Sequence, residues 1–134
     1  MQRLILIGAL ALAGCAASAD NRGSYGSQER AERDLADALK DRVAGTPTDC
    51  ISITGTDGPQ IIDSKTLLYR QGRRIWRNDL PTSCPGLDSG DTLIVELHGA
   101  QLCRHDLVRV REYGSSIPGP ACQLGSFTPY TKPK

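Results

Sequence analysis

From Cys50 onward, apolar residues fall at alternate positions in short runs, and turn residues interrupt those runs at close intervals. This pattern constrains the fold most, because a period of two sends successive side chains to opposite faces of a pleated strand. The candidate strands are 50–54, 60–63, 66–70, 73–78, 92–98, 107–112 and 121–127. Punctuation comes from Thr56-Asp57-Gly58-Pro59, Gln71-Gly72, Cys84-Pro85-Gly86, Asp88-Ser89-Gly90, His98-Gly99 and Ile117-Pro118-Gly119-Pro120. Leu93, Val95 and Leu97 alternate with Ile94, Glu96 and His98, while Val108 and Val110 alternate with Arg109 and Arg111. Each strand therefore offers one apolar and one mostly wet face. Short strands with regular turn signals predict a small antiparallel barrel or sandwich. With one Trp, one Phe and four Tyr, its core must rest on Leu, Ile and Val.

Ahead of that region the period is helical. Ala31, Leu35, Ala38, Leu39 and Val43 make one apolar stripe, Ser27 is placed to cap it, and Gly45 and Pro47 to end it. The spacing predicts a helix over 28–44 packed on a β-rich body over 49–130. The fold class expected is thus mainly β (α+β). Residues 16–27 are small and polar and read as a flexible tether, with 15–27 as a whole joining the leader to the body.

The first residues carry an address. Met1-Gln2-Arg3 supplies a short basic start, and residues 4–12 form an apolar run broken only by Gly8. Leu12-Ala13-Gly14-Cys15 follows at once. The run is about half the 20 residues that a spanning helix needs, and suits a signal peptide. These residues resemble a bacterial lipoprotein leader over 1–14 ending in its lipobox. That resemblance implies acylation of Cys15 and a partner in membrane lipid. Ala16 in place of Asp after the cysteine further implies the outer membrane, with the domain facing the periplasm.

Five cysteines are an odd number, which in an exported chain calls for an explanation. Acylation of Cys15 leaves Cys50, Cys84, Cys103 and Cys122, which an oxidising compartment would pair. Three pairings are possible, and Cys50–Cys122 with Cys84–Cys103 is the one expected. Spacings of 34, 19 and 19 contain no close pair of the kind a zinc ribbon uses, so neither metal nor cofactor is expected.

Removing residues 1–14 leaves 120 of the 134, which is one domain, with 15 basic against 15 acidic residues once Arg3 is gone. That balance argues against nucleic acid as a partner. Two clusters could carry chemistry. His98 and His105 are the only histidines; a Cys103/His105/Asp106 metal set or a Ser/His/Asp arrangement can be drawn, without a strained nucleophile turn or ligand spacing behind it. The second is a basic hairpin in which Arg70, Arg73, Arg74 and Arg77 surround Gln71-Gly72, with Trp76 among them. Arg70, Arg74 and Trp76 share sequence parity and are expected on one face. Such a surface could hold an anionic glycan or an envelope protein. Alternatively it is a charged edge that blocks aggregation, with Trp76 in the core beneath arginine stems.

Several stretches resemble a family of small bacterial lipoproteins of unknown function with a four-cysteine β-domain. They are Arg42-Val43-Ala44-Gly45, Cys50-Ile51, Ile62-Asp63, Tyr69-Arg70, Trp76-Arg77-Asn78, Cys84-Pro85-Gly86-Leu87, residues 101–106 and residues 122–130. The resemblance implies Gly at the position of His105, and it brings no activity. The expected function is a lipid-anchored, non-enzymatic binding or structural module. Inhibition of an exported hydrolase such as lysozyme, and a hydrolase or metal enzyme using His98 or His105, are the alternatives.

Overall fold

The structure, a computed structural model, describes residues 22–134. The leader, Cys15 and the first part of the expected tether lie outside the described residues. Helix α1 occupies Arg22–Leu39. Residues 22–27, expected in the tether, are therefore helical, and Ser27 lies inside the helix rather than capping it. Ala31, Leu35, Ala38 and Leu39 dock on the sheet, and a helix once nucleated gains a hydrogen bond for each residue added. That gain carries it through Gly26 and Ser27.

The helix also stops earlier than the expected 44. Asp41 adopts a left-handed backbone (φ 57°), a conformation that Asp tolerates better than most residues, and the Arg42 N–H donates to the Leu39 carbonyl. Val43, read as the last residue of the apolar stripe, is 59% exposed and belongs instead to a short strand.

The strands are β1 (Val43–Ala44), β2 (Cys50–Ser52), β3 (Gln60–Ile61), β4 (Thr66–Gln71), β5 (Arg74–Asp79), β6 (Thr92–Val95), β7 (Gln101–Cys103), β8 (Leu107–Arg111), β9 (Ala121–Gln123) and β10 (Phe127–Thr131). A five-stranded antiparallel sheet has the order β1-β10-β5-β4-β3, beside a two-stranded sheet β2-β7 and a three-stranded sheet β6-β8-β9. No closed barrel forms among the described residues; the layers make a sandwich with α1 on its outside.

Alternation sorts the five-stranded sheet into two faces. Leu68, Ile75 and Tyr130 meet Ala31, Leu35, Ala38 and Leu39 of the helix. Leu67, Tyr69, Trp76 and Phe127 point the other way, into the core shared with Val108, Val110, Leu124 and Leu102 of the smaller sheets. Fully burying such side chains contributes roughly 1.5–3 kcal/mol each.

Two strands were not expected, β1 and β7, and the single run 121–127 is divided between β9 and β10. The division occurs where the chain changes sheets: β9 pairs with β8, whereas β10 pairs with β5. Between them the Asn78 side chain, fully buried, clamps Gly125. Its amide nitrogen donates to the Gly125 carbonyl (2.7 Å) and its oxygen accepts from the Gly125 N–H (2.9 Å). A Cβ at Gly125 would run into the Asp79 carbonyl, so glycine is required by close approach.

All four body cysteines are paired, but as Cys50–Cys103 and Cys84–Cys122. The expected pairing is corrected by register. Cys50 on β2 stands directly opposite Cys103 on β7, with Cα atoms 4.0 Å apart. Cys84 and Cys122 meet in the main core, where both are buried.

Candidate functional site

Strands β4 and β5 form a hairpin whose two-residue turn is Gly72-Arg73, with Gln71 opposite Arg74. Gly72 takes a positive φ of 57°, the conformation that a first turn position of this kind asks of glycine. Across such a turn, facing residues have opposite sequence parity: Arg70 faces Ile75, Tyr69 faces Trp76 and Leu68 faces Arg77. Arg70 and Arg77 therefore lie on the helix side and Arg74 and Trp76 on the inner side. The expectation that Arg70, Arg74 and Trp76 share a face is overturned, because sequence parity does not survive the turn.

The expected cluster separates accordingly. Trp76 is only 8% exposed, and its indole N–H donates to Gln71 Oε1 at 3.0 Å. It is a core residue rather than an exposed platform, and the Arg74 guanidinium lies over its ring, 5.1 Å from the centroid. Arg77 is committed to Asp79, with Nε and Nη2 each 3.0 Å from Oδ1. Burial alone would lower the Arg77 pKa, but the hydrogen bond and charge of Asp79, with Tyr130, raise it overall. Arg70 is exposed over a small hollow beside Asp57. Arg109 pairs with Glu96 on the three-stranded sheet.

Only Arg73 and Arg74 of the four remain together, and the fold brings them new company. Arg42 arrives from the turn after α1 and donates from Nη1 to the Arg73 carbonyl at 2.6 Å. Lys132 and Lys134 follow β10, which lies between β1 and β5. With Gln71, Gly72, Thr131 and Pro133, these five cations line an open groove of about 790 Å³ that no Asp or Glu side chain enters. Sequence reasoning missed Arg42, Lys132 and Lys134. Their joining depends on β1 and β10 being neighbours, with Val43 opposite Thr131.

A larger groove of about 1100 Å³ runs between α1 and the sheet. Five carboxylates line it against three cations, so its lining is net acidic.

Neither histidine enters either groove. His98 is exposed in the loop after β6. His105 is exposed too, at φ 72°, and its N–H donates to the Leu124 carbonyl. The drawn Cys103/His105/Asp106 metal set does not exist: Cys103 is in a disulfide, and Asp106 Oδ2 accepts the Cys103 N–H at 2.7 Å. Among the described residues no group of three or more His, Cys, Asp or Glu is placed to hold a metal.

A family model described as a family of unknown function (DUF6491) matches residues 1–134. The chain belongs to the DUF6491 family. No curated protein and no solved structure matches it. The stretches that carried the resemblance in sequence take up fold positions in this DUF6491 chain. Asn78 holds Gly125 where the chain changes sheets, Cys50–Cys103 ties β2 to β7 while Cys84–Cys122 crosses the main core, and His105 occupies a left-handed position that favours glycine. The two arginines at the hairpin turn have no such duty.

Proposed function

We propose that this is a lipid-anchored envelope protein whose described domain is a non-enzymatic binding module, working through the basic groove at the β4–β5 turn. The observation that carries the binding role is five cations on one groove without an acidic side chain. Elsewhere on the surface, Arg77, Arg104 and Arg109 each face a carboxylate. The anchor rests on Leu12-Ala13-Gly14-Cys15, and on the pairing of the other four cysteines with one another. Acyl chains on Cys15 would add about 0.8 kcal/mol per buried CH₂, and two chains suffice for stable anchoring. No helix among the described residues is long and apolar enough to cross a membrane. An outer-membrane site facing the periplasm is the location this reading assigns.

The test compares two variants, both in the unanchored Cys15→Ser form, for retention on immobilised envelope components at low salt. Arg73→Ser with Arg74→Ser should lose retention, whereas Arg70→Ser should keep it. Equal retention of all forms would reduce the groove to a solubilising edge. Cys15→Ser, in parallel, should release the chain from membranes; continued fatty-acid labelling of that variant would remove the anchor.

A second reading, inhibition of an exported hydrolase, is favoured by one feature. The loop between β8 and β9 projects Tyr113 and Ile117, 95% and 78% exposed, and holds them there through hydrogen bonds between Ser115 and Ile117. Under that reading Tyr113→Ser with Ile117→Ser abolishes inhibition of lysozyme, and the arginine pair does not.

A further inference from the structure

We infer that the basic groove takes a ligand bearing at least two closely spaced phosphate groups. This deepens the binding-module reading and rests on it.

Three separated segments supply the charge: Arg42 after α1, Arg73 and Arg74 at the hairpin turn, and Lys132 and Lys134 after β10. Two of the guanidinium groups are held in place before any ligand arrives. Arg42 is fixed through Nη1 on the Arg73 carbonyl, and its Nε is buried without a hydrogen-bond partner. The Arg74 guanidinium lies over the Trp76 ring, itself pinned by Gln71, and makes no side-chain hydrogen bond among the described residues. No ion pair among the described residues engages Arg73, Arg74, Lys132 or Lys134.

Such a cluster repels itself, and an anion relieves the repulsion. The geometry selects the anion. A carboxylate presents its two oxygens in one plane, which a single guanidinium fork can engage, whereas a tetrahedral phosphate presents oxygens in several directions and suits donors from several segments. A groove of about 790 Å³ is far roomier than one phosphate needs, and five cations line it. A diphosphate, or a glycan or lipid headgroup with neighbouring phosphates, supplies charge over that span.

The test uses the full chain in neutral-detergent micelles and titration calorimetry with tripolyphosphate. At about 0.1 M ionic strength the screening length is about 10 Å, so contacts within the groove survive. Wild type should show one saturable site, and citrate should bind at least about tenfold more weakly, a difference of about 1.4 kcal/mol. Arg73→Gln with Arg74→Gln should weaken tripolyphosphate binding by at least about tenfold, which is again about 1.4 kcal/mol. Lys132→Gln with Lys134→Gln should weaken it several-fold, and Arg70→Gln should leave it unchanged.

Doping the micelles with cardiolipin, whose headgroup carries two phosphates, and comparing it with phosphatidylglycerol at equal total charge separates the sources. A larger fall in apparent tripolyphosphate affinity with cardiolipin assigns the groove to lipid headgroups; equal values assign it to soluble or glycan-borne phosphate. Equal binding of citrate and tripolyphosphate, or equal binding by wild type and the Arg73/Arg74 variant, overturns the inference. So does an absence of tripolyphosphate binding when envelope retention still depends on Arg73 and Arg74, and in that case the binding-module reading stands.

Discussion

The two ends of the β4–β5 hairpin are built on opposite terms. At the closed end, away from the turn, Thr66 and Asn78 are buried, Leu80 donates its N–H to the Lys65 carbonyl, and Cys84 donates its N–H to the Ser64 carbonyl and is bonded to Cys122. Arg77 is paired with Asp79 there, and Asn78 alone satisfies both the donor and the acceptor of Gly125. At the turn end, Arg73 and Arg74 are exposed beside Arg42, Lys132 and Lys134, and no carboxylate side chain lines the groove they form. One hairpin thus has a self-satisfied end that holds layers together and a self-repelling end that is completed from outside. A charge cluster within a family fold is informative where its compensation is missing, rather than where charge is merely abundant.

Breaking the closed end should cost the most. Replacing Cys84 and Cys122 together by Ser opens a loop with a sequence separation of 38, worth about 4 kcal/mol in the chain-entropy model. The pair Cys50 and Cys103, separated by 53, should cost a similar amount. Denaturant titration measures both, and peptide mapping without reduction checks the pairing. Asn78→Ala comes next: it strands the buried N–H and carbonyl of Gly125, at a cost of about 3 kcal/mol. Denaturant titration of that variant should show a lowered midpoint, with groove binding intact under conditions where it is still folded. Loss of binding without loss of stability would show that the two ends are not separable.

A smaller effect sits midway along the hairpin. Tyr69 is buried with its hydroxyl unpartnered, and burial pushes its pKa well above the usual 10. The neutral phenol is therefore favoured in the folded state. Its contribution is complete below pH 10 and is lost as pH rises from there toward the elevated folded value. Tyr69→Phe removes an unsatisfied group and should match or exceed wild type by up to about 1 kcal/mol at neutral pH. Its advantage should widen at about pH 10.5, measured by denaturant midpoints at both pH values. A variant clearly less stable than wild type at neutral pH would mean that the hydroxyl has a partner.

Much of the closed end was legible in the sequence. Period-two alternation placed both strands of this hairpin and the Gly72 turn, and the apolar stripe placed Ala31, Leu35, Ala38 and Leu39 on the sheet. The site was legible only in part, because period and turn signals are local whereas a groove is assembled by strand order. Arg42 and Lys132 lie ninety residues apart in sequence and meet because β1 pairs with β10. The disulfide pairing escaped for the same reason: Cys50 meets Cys103 through the β2–β7 register, and β7 is a three-residue strand with no alternation to reveal it. Arg70 was miscast because counting parity along the chain ignores the reversal at a two-residue turn, and Arg77 because Asp79, two residues on, engages it.

Amide shift mapping of the labelled full chain during tripolyphosphate titration tests the contrast between the two ends most directly. The account predicts shifts concentrated at Gly72, Arg73, Arg74, Thr131 and Lys132, with Asn78, Gly125 and the residues facing α1 unmoved. Shifts centred on Asp63, Lys65 and Asp79 in the net-acidic groove, with the hairpin turn silent, would contradict it.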